Sequence, residues 1–452
     1  MFDYQTIISD KMTFVNFHVI NLHIISHMVT RLCFLHPFFY VGYLLHYMGI
    51  ISTETLLQNG RTNDMENTHN FFIPKDNLIG TGSIKDLTNE LLSWKLSKVL
   101  IVTDQNMIRL GWVEAVEKIL KNLFIFYDIF DGVLHSNATV SFVEDGLAYF
   151  PQLLDFSREY GLIISIGGGT NHDCAKGIAA VAANGGSIID YEGYNKITKP
   201  SIPHIAINTT YSGAEVTMFA IITDESRKVK MIIGSPNITP LISVNDPMLA
   251  VTMPEKITAT SGMDALGHSI EAYMSTESSP ITDSLALGAV KLIFDYLKRT
   301  YENGHDLKAR EQMMYASVMG GMAFNNAGLG YNHALGHQLG GFYDQLHGDY
   351  EAILLPHVFE YNSTAVPENR ILRLAEVMGV TAKSKPEAVE KIATLFRKLA
   401  DDIGIPKGLK MMGVQETDFA ILAQNALKDI ATLTNPRQGT LEDMLNIYKA
   451  AM

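Results

Sequence analysis

The chain has 452 residues, 47% of them hydrophobic, with 35 glycines and a formal net charge of −13. That length predicts two domains, at most three, with well-packed cores, and the acidic balance without any basic stripe excludes a nucleic-acid-binding protein. Two cysteines, Cys33 and Cys174, make no disulfide framework and point to a reducing, cytoplasmic setting.

Residues 12–49 are strongly apolar but interrupted by His18, His23, His27, His36 and His46. A spanning helix wants about 20 apolar residues. Residues 32–51 come closest, with Pro37 and two histidines against them. A basic start and a small-residue cleavage site, the marks of a signal peptide, are missing. Residues 1–64 therefore read as an extension of uncertain status outside the fold, with membrane contact expected only if they are a real anchor.

From Phe71 the texture alternates between strand and helix. FFIPKDNLIGTG reads as an extended edge, followed by a helix over 84–96. KVLIVTD (98–104) reads as a buried strand, 112–122 as an amphipathic helix and FIFYDIF as the next strand. A helix over 139–159 leads into the strand GLIISIGGG. HIAIN (204–208), a segment around Lys230 and LISVNDP (241–247) supply further strands. Branched apolar runs of this kind are strands covered on both faces, and the alternation predicts a parallel sheet. Ligands gather at the carboxyl ends of such strands.

Gly167, Gly168, Gly169, Thr170 and Asp173 stand at one such end, in IGGGTNHDCAKG. Glycines let a phosphate approach the backbone, and the amides of the following helix face its charge. Asp104 ends an early strand, where an acid binds an adenosine ribose or simply caps a helix. Thr209, Thr210 and Ser212 form a second polar loop, in which Glu215 reads as a helix cap. Asn137 sits in a comparable loop. Lys230 reads as a cofactor contact or a solvated edge lysine.

After residue 250 strand-like alternation nearly vanishes. Apolar periodicity predicts helices at 281–299, 307–326, 331–340, 366–374, 384–402 and 416–428, with a terminal helix in LEDMLNIYKAAM. Asp264 and His268 are four apart, as are His333 and His337, and each pair shares one helical face. His347 follows after a short Gly-rich loop. One carboxylate and four imidazoles suit iron or zinc better than calcium or magnesium. Four ligands suffice, so one of the five is free to relay protons, and spacing does not choose which.

These stretches resemble the iron-dependent (group III) alcohol dehydrogenases, in the branch of 1,3-propanediol and methanol dehydrogenases. The matching segments are IVTD, GGGTNHDCAKG, TTYSGAEVT, VNDP, GMDALGHSIEAY, GMAFNNAGLGYNHALGHQLGGFYDQLHG, AILLPHVFEYN and ALKDIATLTNPR, spread over residues 65–452. The resemblance implies an α/β fold: a parallel-sheet dinucleotide-binding domain (65–250) followed by an all-helical metal-binding domain (251–452). It makes Asp264, His268, His333 and His347 the metal ligands and His337 the catalytic relay. Gly168, Gly169, Asp173, Asp104, Asn137, Thr209, Thr210 and Lys230 match cofactor positions. The implied cofactors are NAD and Fe(2+), with Zn(2+) also accommodated, and the implied assembly is a homo-oligomer. Where the family has TTAGTGSE this chain has the shorter TTYSGAE, and its GGGS is GGGT here.

The activity expected is reversible hydride transfer between a small primary alcohol, or its aldehyde, and NAD, with the metal activating the alcohol oxygen. The alternatives are a non-redox enzyme on the related dehydroquinate-synthase-like scaffold, an inactive relative, or a metal-dependent scaffold protein. The first needs Lys and Arg around the metal, whereas NNAGLGYNH and GGFYD are apolar to neutral.

Overall fold

Residues 70–150 and 160–452 are described by the computed structural model. The expectations for residues 1–64, and for 151–159 of the helix predicted at 139–159, lie outside the described residues. His69–Met452 forms one compact unit.

Six strands build the main sheet: β1 (Asp76–Ile79), β2 (Lys98–Val102), β3 (Phe126–Phe130), β4 (Leu162–Gly167), β6 (His204–Asn208) and β9 (Ile242–Asn245). Their spatial order is β1-β9-β6-β4-β2-β3, and every pairing is parallel. Successive side chains of a strand face opposite ways. Val99 and Ile101 of β2 accordingly enter one core, while Leu100 and Val102 enter another. That double burial is why these strands are continuous apolar runs.

Helices α1 (Leu87–Leu92), α2 (Gln105–Arg109), α3 (Trp112–Asn122), α4 (Val140–Leu147) and α5 (Gly169–Asn184) connect the strands. In α3, Val113, Val116 and Leu120 are the buried stripe, which matches the predicted amphipathic helix. A small second sheet orders β5 (Gly193–Tyr194), β8 (Val229–Gly234) and β7 (Phe219–Asp224), with β7 and β8 antiparallel. Only the segment around Lys230 was expected there as a strand.

Beyond the short α6 (Pro247–Ala250) the chain is helical: α7 (Glu255–Met274), α8 (Pro280–Glu302), α9 (Leu307–Ala327), α10 (Tyr331–Tyr343), α11 (His347–Ser363), α12 (Glu368–Val377), α13 (Lys385–Asp402), α14 (Phe419–Ala426) and α15 (Leu441–Ala450). Ser279 caps α8 reciprocally with Thr282, and Pro280 fills its first position. Helix α7 is enclosed by α8, α9 and α11 and buried over nearly its whole length. A polar side chain on it therefore faces protein or an internal cavity. Helix α11 was not expected: Gly348 and Pro356 blur its pattern, and they put His347 at its first residue.

Candidate active site and metal centre

A cleft of about 510 Å³ runs from the carboxyl end of the sheet to the helical core. Gly168 caps α5 and Gly169 begins it, so the amides of a sixteen-residue helix open on the cleft. A β-carbon at Gly168 would stand 3.0 Å from Thr210, and one at Gly169 3.1 Å from Ser212. The two polar loops thus pack against each other through the missing side chains. Thr170 donates its hydroxyl to Ser136 O at 2.7 Å, tying the glycine loop to the one that carries Asn137.

At the other end α7, α10 and α11 bring the expected ligands together. Nε2 of His333, His268 and His347 stands 3.4, 3.6 and 3.9 Å from Asp264 Oδ1. Two ligands of a four-coordinate ion at about 2.1 Å stand about 3.4 Å apart. Asp264 Oδ1 and His333 Nε2 have no hydrogen-bond partner among the described residues, although buried polar atoms are normally satisfied. The donor set fits a divalent cation, which would give both atoms a partner. Ligand atoms of Asp264, His268 and His333 lie within 4.8 Å of one another, and His347 is the looser fourth.

Local sequence explains the convergence. Asp264 and His268 are one turn apart on the enclosed α7. The start of α11 packs directly on its backbone, where a β-carbon at Gly348 would overlap Thr260 O. Phe324 stacks on His268 with ring centroids 4.2 Å apart, and His268 on His333 at 4.6 Å. Burial pushes the His268 imidazole down to about 3 and His347 well below its ordinary value. Both therefore offer lone pairs at neutral pH.

Two family models match, "Iron-containing alcohol dehydrogenase" over residues 74–247 and "Fe-containing alcohol dehydrogenase family, C-terminal" over 258–452. The chain belongs to the iron-containing alcohol dehydrogenase family. It is an oxidoreductase of the kind that interconverts alcohols and aldehydes. It is similar to Alcohol dehydrogenase 4 of Schizosaccharomyces pombe, 43% identical over 84% of this chain and 89% of that one. It is also similar to the NAD-dependent methanol dehydrogenase of Bacillus methanolicus, 41% identical over 85% of this chain and all of the relative. A solved 1,3-propanediol oxidoreductase superposes with a TM-score of 0.80 at 40% identity, covering 85% of this chain and all of that one.

Against this family frame, Asn137, Gly168, Gly169, Thr170, Asp173, Thr210, Ser212, Lys230, Asp264, His268, His333, His337 and His347 line the one cleft. Asp104 and Thr209 do not. Asp104 caps α2, accepting from Asn106 N at 2.7 Å and Met107 N at 3.2 Å, and its other oxygen accepts from Asn171 at 3.0 Å. Thr209 is buried and donates its amide to Gly167 O. Lys230 is buried in the cleft wall, not solvated. Glu215 is fully buried beneath its loop instead of capping a regular helix, and burial pushes its carboxyl up to about 7.

Sequence reasoning left four residues of the site unassigned. Glu271, one further turn along α7, holds His333 Nδ1 at 2.5 Å. Asp429 holds His337 Nδ1 at 3.0 Å, leaving Nε2 as the free nitrogen of that ring. Lys176, fully buried, donates to Ala214 O at 2.6 Å and Phe219 O at 2.5 Å and so pins the TTYSGAE loop. Glu351 is enclosed beside His333 and His347. Only Glu271 carried a usable signal, since it falls three residues after His268 on the same helical face.

Among the described residues no helix is long and apolar enough to cross a membrane.

Proposed function

We propose that the cleft takes NAD along the glycine loop and a small uncharged primary alcohol or aldehyde at the metal end. Asp264, His268, His333 and His347 hold one divalent cation there, iron by the family's chemistry, with zinc compatible with the same ligands. The observation that carries the reading is the convergence of three Nε2 atoms on Asp264 Oδ1, inside the cleft the glycine loop opens on.

When bound, the cation supplies Lewis acidity toward the substrate oxygen, and the nicotinamide accepts or donates the hydride. The chain's residues do the rest. The amides of α5 bind phosphate, and Thr210 and Ser212 flank the path. Asp264 neutralises part of the cation's charge, and Glu271 holds the His333 proton on Nδ1. Nε2 is then the nitrogen left for the cation, once it displaces the second proton that the neighbouring carboxylates favour in the metal-free ring. His337 offers Nε2 to the cleft and relays the substrate proton, while Asp429 holds Nδ1 and fixes the orientation of the ring. Phe324, Ile257 and Leu346 line the cleft with apolar surface that keeps water scarce.

Among the described lining residues Lys230 is the only lysine and no arginine occurs. An anionic substrate would find Lys230 as its one side-chain cation in the described lining, which disfavours the non-redox reading. The halves 65–250 and 251–452 act as the cofactor-binding and metal-binding parts. A homo-oligomer is in keeping with the family, and a reducing cytoplasm with the free, buried Cys174. Metal analysis with an NADH absorbance assay over a panel of small primary alcohols tests the reading. A metal-replete sample that reduces NAD with none of them would end it.

A further inference from the structure

We propose that Glu351 is a second carboxylate ligand of the metal, so that the centre holds three imidazoles and two carboxylates. The proposal rests on the metal-site reading above and extends it.

Glu351 lies one turn after His347 on α11, so the two share a face. Its side chain is fully buried. One oxygen, Oε2, is occupied by the Asn332 side-chain amide. The other, Oε1, has no hydrogen-bond partner among the described residues. It stands 3.6 Å from His347 Nε2, the same separation as between His268 Nε2 and Asp264 Oδ1. This is the spacing of atoms that share an ion, and it is too long for atoms that share a proton.

His333, His347 and Glu351 each offer a ligand atom within 4.8 Å of the others. Glu351 Oε2 faces His333 on its Nδ1 side at 3.5 Å, the nitrogen Glu271 holds, so the link from Glu351 to the other ligands runs through His347, whose Nε2 stands 3.9 Å from Asp264 Oδ1. The backbone makes room for the carboxylate: a β-carbon at Gly336 of α10 would overlap Glu351 Oε1. A carboxylate this enclosed is costly unless a cation or donors satisfy it, and only one of its two oxygens has a donor.

Two carboxylates cancel the charge of a divalent ion. Five protein ligands leave one position of an octahedron for substrate oxygen. That number and the added hard oxygen suit iron(II), whereas zinc sites are usually four-coordinate. Glu351 thus decides which metal the site prefers.

The test uses cobalt(II) as a probe in the metal-free full chain. Four-coordinate cobalt(II) absorbs visible light strongly, and five- or six-coordinate cobalt(II) weakly. The wild type is expected to give the weak spectrum and Glu351→Gln a more intense one. Iron(II) affinity, measured by chelator competition, is expected to fall about 10–100-fold in that variant. A strong four-coordinate spectrum from the wild type overturns the proposal, and so does an unchanged spectrum with affinity within twofold in Glu351→Gln. The wild-type spectrum decides even if the variant does not fold. Asp264→Asn separates the two readings. If it loses cobalt while Glu351→Gln keeps the wild-type spectrum and affinity, Glu351 alone is misassigned; if it too binds cobalt unchanged, the metal centre itself is wrong.

Discussion

Replacing Glu271 by Gln tests how the metal site is prepared before metal arrives. Glu271 presents two acceptors to two donors: Oε1 takes Asn332 N–H at 2.7 Å and Oε2 takes His333 Nδ1 at 2.5 Å. Glutamine presents one acceptor and one NH₂ group. If its oxygen keeps Asn332, the NH₂ faces His333 Nδ1. The imidazole then accepts there and moves its proton to Nε2, the atom 3.4 Å from Asp264 Oδ1 that must bind metal. If its oxygen keeps His333, the NH₂ meets the Asn332 N–H and a buried donor goes unpaired, at about 1–3 kcal/mol. The first orientation keeps a partner for both Asn332 N–H and His333 Nδ1, so it is the one adopted. Its cost appears only when metal binds, and a partner of this type is worth about 10–100-fold in affinity, or about 1.4–2.7 kcal/mol. Glu271→Gln should therefore melt near the wild-type temperature without metal and bind iron(II) or zinc(II) about 10–100-fold more weakly in chelator competition. Metal affinity within twofold of wild type would refute the tautomer argument.

The other predictions address single roles. His268→Ala and His347→Ala should each lose metal and activity together, and full metal content with wild-type rates would remove either from the ligand set. His337→Ala should keep its metal but lower kcat about 10²-fold, with a changed pH profile; unaltered kinetics across pH would leave it as packing. Asp104→Asn separates capping from recognition, because asparagine caps as well as aspartate. Its melting temperature should hold while preference for NAD over NADP relaxes, and unchanged selectivity would make Asp104 a cap alone.

The strands were legible because both faces of the sheet are buried, so Val99 to Val102 and Leu162 to Ile164 carry no polar break. The five metal-end residues were legible because two i, i+4 pairs of ligand-type side chains stand in otherwise apolar helices. Helix α11 was hidden by Gly348 and Pro356. The small sheet was hidden by the two-residue length of β5. Glu351 looked like any surface glutamate, because the sequence marks a carboxylate but not its enclosure. Asp429 stands 92 residues from His337, a pairing that only the fold creates. Of the two readings of Lys230 the solvated one fails for the same reason, since the wall that buries it comes from α10.

The central claim is one cation on four convergent side chains beside a nicotinamide. Titrating iron(II) into metal-free protein with NAD and a small primary alcohol, while following bound iron and NADH together, tests it most directly. The rate of NADH formation should rise in step with bound iron and level off at about one ion per chain. NADH formation that ignores bound iron, or full iron loading without NADH from any small alcohol, would contradict it.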